Sequence, residues 1–463
     1  MRSHGFGWSL PRTVLAASLA LTAFTGGACA ETMQEALAKA YSNNPTLNAA
    51  RAQTRAVDEN IAIAKSGMRP QIFGNADYGK SWSETELASG IRNSSELRPG
   101  GFGVTISQSL FDGFKTRNNV EAAQAAIFAS RETLRNTEQN VLFDAASAYM
   151  NVIRDQAIAG YRSQNLEFLN ELVRSERTRF DVGESTRTDV AQAQASQAAA
   201  QAQMSAARAS LQSSIAVYRQ IIGTDPARLK GPAGVDRLLP GQLEKALDIA
   251  FSEHPAILAT KYLVDQADWN VKSAESDLLP TIQLQGSASR RYDSVSRGSV
   301  SESASVTAKL SVPIYQGGAV SATVRQNKEV LGQRWIEVDQ TVDSVRAAVV
   351  SAYSQLQSAQ ASSVANESQL RAARLALQGS VEERNVGQRT TLDVLSNQQD
   401  VITAQLSLAN SQRDTIVAGY AVLSAIGRLN SDLLKLAVVR YDPVEHFEVV
   451  KDKWYGLRTP DGR

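Results

Sequence analysis

MQEALAKAYSNNPTLNAAR at Met33–Arg51 returns as LEKALDIAFSEHPAILATK at Leu243–Lys261. Ala36/Ala246, Leu37/Leu247, Ala40/Ala250, Ser42/Ser252 and Pro45/Pro255 are all 210 positions apart, and the same offset carries Pro70 onto Pro280 and Ile72 onto Ile282. A second set, Gly113/Gly317, Gly183/Gly387, Asp189/Asp393 and Gly223/Gly427, is 204 positions apart. One loop between Ile72 and Gly113 therefore differs in length between the copies. A repeat of about 200 residues is too long for a solenoid unit and implies two copies of one large structural half.

Each half reads as helix, two strands, very long helix, turn and return helix. The first repeat spans 31–222, with strands 71–82 and 101–112, a long helix 114–181 and a return helix 187–222. The second spans 241–427, with strands 281–292 and 304–315, a long helix 319–385 and a return helix 389–427. Residues 223–240, rich in glycine and proline, read as a linker at mid-height. Residues 428–463 have no counterpart in the first half and read as a further segment ending in a polar, unstructured tail.

The strands alternate. Phe102, Val104, Ile106 and Leu110 face one way, and Gly103, Thr105, Ser107 and Ser109 the other. Ile282, Leu284, Gly286 and Ala288 alternate with Gln283, Gln285, Ser287 and Ser289, and Val306–Ile314 repeats the pattern. Period two with one apolar and one small polar face describes a half-buried strand. It fits both a soluble sheet and a membrane barrel, whose strands are about ten residues long. Polar loops at Ser83–Pro99 and Asp293–Ser303, and the N-terminus described below, favour the barrel.

The stretches Phe114–Asp181 and Ala319–Asn385 contain no proline. A helix of that length is about 100 Å long, which indicates a coiled coil. Val120, Ile127, Leu134, Val141 and Ala148 are spaced by seven, as are Val324, Leu331, Val338, Val345 and Ala352. A strict seven-residue row gives a left-handed supercoil. The return segment Val190–Ser214 is rich in Ala, Gln and Ser without Gly or Pro, and reads as helix.

Residues 1–30 read as an export signal: Arg2 and Arg12, an apolar run Val14–Phe24, and Ala28-Cys29-Ala30 as the cleavage site. Acylation of Cys29 is disfavoured by Gly26, where a lipobox has Leu. Cys29 is the one cysteine of the chain, so a mature protein beginning at Glu31 has no disulfide and no thiolate site. His4, His254 and His446 are scattered, and His254 stands where the first half has Asn44, which points to a surface or capping role. No metal or cofactor is expected. A net charge of +1 gives no electrostatic case for nucleic acid. No Gly-x-x-x-x-Gly-Lys-Ser/Thr motif and no catalytic constellation is present, so neither a nucleotide-driven motor nor an enzyme is expected.

Two hairpins supply four strands per chain. An open sheet edge cannot face lipid, and membrane barrels begin at eight strands. Several chains must therefore share one barrel. A dimer gives eight strands with a filled interior, whereas a trimer gives twelve and leaves a lumen. The alternative is a periplasmic coiled-coil structural protein without a channel, which explains the heptads but not the strand pairs.

With the duplicated helix opening, ISQSLFDG (Ile106–Gly113), LSVPIYQGG (Leu310–Gly318), FDVGESTRTDV (Phe180–Val190) and RNVGQRTTLDVL (Arg384–Leu395), the chain resembles the TolC-type outer membrane efflux proteins over nearly all of Glu31–Arg428. The resemblance implies a fold that is mainly α with a membrane β-barrel. As a homotrimer, it would form a twelve-stranded barrel in outer membrane lipid, continuous with a periplasmic coiled-coil barrel. It implies export of drugs, bile salts and other toxic compounds, and of proteins by type I secretion. The partners implied are a periplasmic adaptor and an inner-membrane RND or ABC transporter. Copper-specific export is disfavoured by five unclustered methionines.

The resemblance also implies a periplasmic gate. Gly183 and Gly387 match the hairpin-turn glycines. Arg389 matches an arginine that reaches across to the first hairpin at Thr188 and Asp189, and Asp393 an aspartate ringing the closed pore. Arg384 and Ser396 depart from the family pattern, which has tyrosine and a second aspartate there, so a weaker latch and a smaller acidic ring are expected.

Overall fold

The computed structural model describes residues 30–231, 234–460 and 462. The expected export signal thus lies outside the described residues except for Ala30. The described residues open with helices α1 (Met33–Asn43), α2 (Pro45–Asp58) and α3 (Asn60–Lys65), followed by strands β1 (Gln71–Tyr78), β2 (Ser81–Glu86), β3 (Arg92–Leu97) and β4 (Gly100–Phe111). Helix α4 (Lys115–Asp181) and its return α5 (Arg187–Ile222) complete the first half. The second half repeats the order with α6 (Leu243–Glu253), α7 (Pro255–Glu275), β5 (Thr281–Tyr292), β6 (Val300–Ser311), α8 (Ala319–Asn385) and α9 (Thr391–Ala425), and a short α10 (Pro443–Val450) follows.

Helices α4 and α8 run unbroken for 67 residues each. Near the sheet they are flanked by α2, α3 and α7, and in the distal half by α5 and α9. The seven-residue rows are the packed ones: Ile127, Leu134, Val141 and Ala148 are buried on α4, and Val324, Val338, Val345 and Ala352 on α8. Most of the remaining α8 surface is open within one chain. Among the described residues no helix is long and apolar enough to cross a membrane.

The main core lies at mid-height. Tyr149 of α4 and Tyr218 of α5 are fully buried there, and the Tyr149 hydroxyl lies 2.8 Å from the Glu31 carbonyl and 2.7 Å from that of Lys230. Glu31 is thereby fastened to the linker between the halves. Asn44 and His254 begin equivalent helices: Asn44 Oδ1 accepts from the Thr46 and Leu47 amides, and His254 Nδ1 from the Ala256 amide at 3.2 Å. Capping is therefore the role of His254, whose imidazole is held below its ordinary pKa by burial.

The sheet is antiparallel with the order β1-β4-β5-β6, which sets the two hairpins side by side. One face carries Ile72, Phe102, Val104, Ile106, Leu284, Ala288, Val306 and Leu310, the large ones mostly exposed. The other is polar. On it Ser287 meets Ser305 at 2.9 Å and Ser289 meets Ser303 at 3.0 Å, and Arg291 reaches Asp77 at 2.7 Å. Arg291 crosses over Gly101, where a Cβ would come within 3.1 Å of its Cγ.

The elements differ from their expected limits chiefly in three places. The segment read as one strand, 71–82, stops at Tyr78, and the loop read at Ser83–Pro99 holds most of a separate hairpin, β2 with β3. Gly79 marks the break, its amide bonding to the Pro99 carbonyl at 2.8 Å. The strand read at 304–315 runs instead from Val300 to Ser311. Its limits are those of its partner: Ser311 pairs with Thr281 and Val300 with Tyr292, so Val312, Ile314 and Tyr315 have no strand opposite them. The return helix read from 389 begins at Thr391, because Thr390 is its cap.

Candidate functional site

The two long hairpins turn by the same device. At the first turn Gly183 (φ 81°) follows the last residues of α4, its amide bonds to the Phe180 carbonyl, and the Glu184 amide bonds to Arg179. At the second, Gly387 (φ 82°) bonds to Arg384 and Gln388 to Glu383. These paired bonds satisfy the carbonyls left open at a helix end, and the left-handed residue they require is most cheaply glycine.

Each return helix then opens with a capping box. Thr186 Oγ1 accepts the Asp189 amide at 3.2 Å while Asp189 Oδ2 accepts the Thr186 amide at 3.1 Å. Thr390 and Asp393 repeat this at 3.2 and 2.9 Å. The Thr186 hydroxyl and amide hold the Asp189 carboxyl below the usual range, and the Thr390 amide and hydroxyl do the same for Asp393. Both aspartates are thus ionised at neutral pH and fixed at the first turn of a helix, where negative charge is favoured.

Arg389 lies beside Asp393 but bonds elsewhere. Its Nε donates to Glu383 Oε2 at 2.8 Å, both side chains being about half exposed. Glu383 raises the Arg389 pKa further, chiefly through that bond. Among the described residues Arg389 makes no hydrogen bond to Thr188 or Asp189. Thr188 is exposed at the rim of the first turn.

The hairpins of one chain are joined by a residue that the sequence reading missed. Glu176 of α4 is 1 % exposed and accepts three hydrogen bonds: from Ser185 Oγ at 2.8 Å, Arg384 Nη1 at 3.2 Å and Thr391 Oγ1 at 3.1 Å. Arg384, 11 % exposed, is one of the two residues that depart from the family pattern. It forms a buried ion pair with Glu176, between α4 and α8. One turn region higher, Gln398 Nε2 donates to Asn165 Oδ1 at 2.7 Å, both buried, and ties α9 to α4. Neither pair is visible as a motif, because their members lie 208 and 233 positions apart. Among the described residues no cluster of histidine, cysteine and carboxylates could hold a metal ion.

The sequence model of the outer membrane efflux proteins matches residues 36–224 and 246–428, one span in each half. The chain is 49 % identical to the outer membrane efflux protein BepC of Brucella suis, over 96 % of this chain and 95 % of that one. It is 26 % identical to the outer membrane protein TolC of Escherichia coli, over 92 % and 88 %. In fold it is similar to the crystal structure of the Campylobacter jejuni CmeC outer membrane channel, with a TM-score of 0.76 at 15 % identity, covering 91 % of this chain and 89 % of that one.

Proposed function

The chain belongs to the outer membrane efflux protein family, and from that premise we propose that three copies build one duct serving an inner-membrane pump. The protein is an outer membrane channel-tunnel for export that extends into the periplasm. The observation that carries the trimer is the open four-stranded sheet with one apolar and one polar face. Its edge strands, β1 and β6, carry unpaired backbone groups that lipid cannot satisfy. Pairing β6 of one copy with β1 of the next closes the barrel without edges, and twelve strands leave a lumen.

At the far end, the gate consists of Arg389, Thr188, Asp189 and Asp393, on turns shaped by Gly183 and Gly387. The Nη atoms of Arg389 suit Thr188 and Asp189 of a neighbouring copy, since guanidinium–carboxylate bonds are directional. Asp393 places one carboxylate per copy at the mouth. Glu176 and Arg384 hold the two hairpins of each copy together behind that rim. An inner-membrane RND or ABC transporter supplies the energy, and a periplasmic adaptor joins it to the duct. Drugs and bile salts are the proposed cargo, supported by the efflux role in the name of the 49 % identical relative.

A strain lacking the gene, tested in parallel for drug and bile-salt sensitivity and for its secreted proteins, checks this reading. Sensitivity restored to normal by the native gene is the expected result. Unchanged sensitivity with a missing secreted protein would replace the cargo assignment by protein secretion, and no change in either would refute the duct.

A further inference from the structure

Beyond α10 the chain does not trail into solvent. It runs back along α3 towards the foot of the sheet. Lys65 Nζ meets Asp452 Oδ1 at 2.6 Å, Arg69 Nη1 donates to the Lys453 carbonyl at 2.7 Å, and the Arg69 guanidinium lies 4.8 Å from the centre of the Trp454 ring. Arg69 stands two residues before β1, and two extended residues cover about 7 Å. Trp454 is therefore held beside the lower rim of the sheet.

The height of that rim follows from the strands. Strands β4, β5 and β6 have 12 residues each. At about 3.4 Å per residue and a tilt of about 40° they rise about 30 Å, the thickness of the hydrocarbon core. A membrane strand needs about 9–11 residues, so little of this length is left over and the rim lies at the level of the periplasmic headgroups. Next to it the tail presents Trp454 at 66 %, Tyr455 at 91 % and Leu457 at full exposure. Trp and Tyr concentrate at this depth in membrane proteins, because each has an apolar body and a polar tip.

The local charge agrees. Asp452 is neutralised by Lys65, whereas Arg69 and Lys453 bond to backbone carbonyls, and neither they nor Arg458 form an ion pair among the described residues. Three cations without an ion pair among the described residues, beside an aromatic pair, suit anionic phospholipid headgroups.

We propose that Trp454, Tyr455 and Leu457 form an interfacial anchor that seats in the periplasmic leaflet of the outer membrane, directly below the barrel. The occupant is phospholipid, the same lipid that the exposed apolar face of the sheet meets in the proposed barrel. The anchor rests on the sheet crossing that membrane. It gives each copy a membrane attachment supplied by the C-terminal segment.

The test uses the full chain reconstituted in phosphatidylethanolamine–phosphatidylglycerol vesicles with brominated acyl chains. A variant with Trp8, Trp82, Trp269 and Trp335 changed to Phe keeps Trp454 as its one tryptophan. Its emission is expected to fall about twofold against unbrominated vesicles, with little quenching by aqueous iodide. If that variant does not fold, Trp454→Phe in the otherwise native chain is expected to remove part of the bromolipid-quenched emission. Quenching by iodide instead places Trp454 in water, and quenching by neither places it against a neighbouring copy; both overturn the anchor. A Val306→Trp reporter on the apolar face of the sheet separates causes. If it is quenched and Trp454 is not, the anchor alone falls; if neither is quenched, the membrane sheet falls with it.

Discussion

Asn44 and His254 do one job with two chemistries, and only one of them titrates. Burial keeps His254 neutral in the folded chain, while an unfolded histidine takes up a proton near pH 6.5. Below that pH the unfolded state binds more protons, so stability falls as pH falls, and it is fully present above it. A protonated Nδ1 also can no longer accept the Ala256 amide. Lowering the pH from 7.5 to 5.5 should therefore reduce the melting temperature, and His254→Asn, which copies the other half, should reduce that loss. Identical pH dependence in the two proteins would show that His254 carries none of it. The sequence allowed this cap to be read because the repeat aligns His254 with Asn44. It did not reveal Glu176, which has no repeat partner of matching function and whose ligands come from a distant hairpin.

At the scale of the element, the long helices were readable because one property, an unbroken apolar row without proline, decides them. The proline-free stretch predicts a start at 114 for the first, and the helix starts at Lys115. Phe114 itself takes the left-handed conformation (φ 70°) and packs edge-on against Phe111, 5.2 Å away, where the second half uses Gly318. Strand limits were less readable, since the partner strand sets them: nothing in the polar run Val300–Ser303 marks it as strand until Ser289–Tyr292 lies opposite. The hairpin ends depend on Glu176. Glu176→Ala leaves Arg384 buried without its carboxylate, a loss of about 3–5 kcal/mol for such pairs. Faster amide exchange at both turns and higher conductance in planar bilayers are expected. Glu176→Leu with Arg384→Met should recover most of the exchange protection, since an apolar replacement of a buried pair is often neutral. Unchanged exchange and conductance in Glu176→Ala would remove the pair from the gate.

At the scale of the whole molecule, the duplication sets the count. Each chain supplies two near-equivalent units, so three chains make a tube of six, and its departures from sixfold symmetry include the Arg384–Glu176 contact and the Arg389–Glu383 pair. The closing seam is testable. Asn75→Cys on β1, combined in turn with cysteine at Ser301, Ser303 or Ser305 on β6, should give covalent trimers on oxidation in at least one combination. Monomers throughout would sink the shared barrel.

The hydroxyl ladders on the polar face of the sheet have a bearing on traffic. Ser287, Ser289, Ser303 and Ser305 satisfy one another, and Asp77 and Arg291 cancel each other's charge. Apart from Lys309, an exposed cation on the same face with no ion pair among the described residues, such a wall gives a passing molecule little to hold, and a site that binds weakly releases quickly. Residence in the barrel is then short, and discrimination among cargoes falls to whatever loads the tube from below.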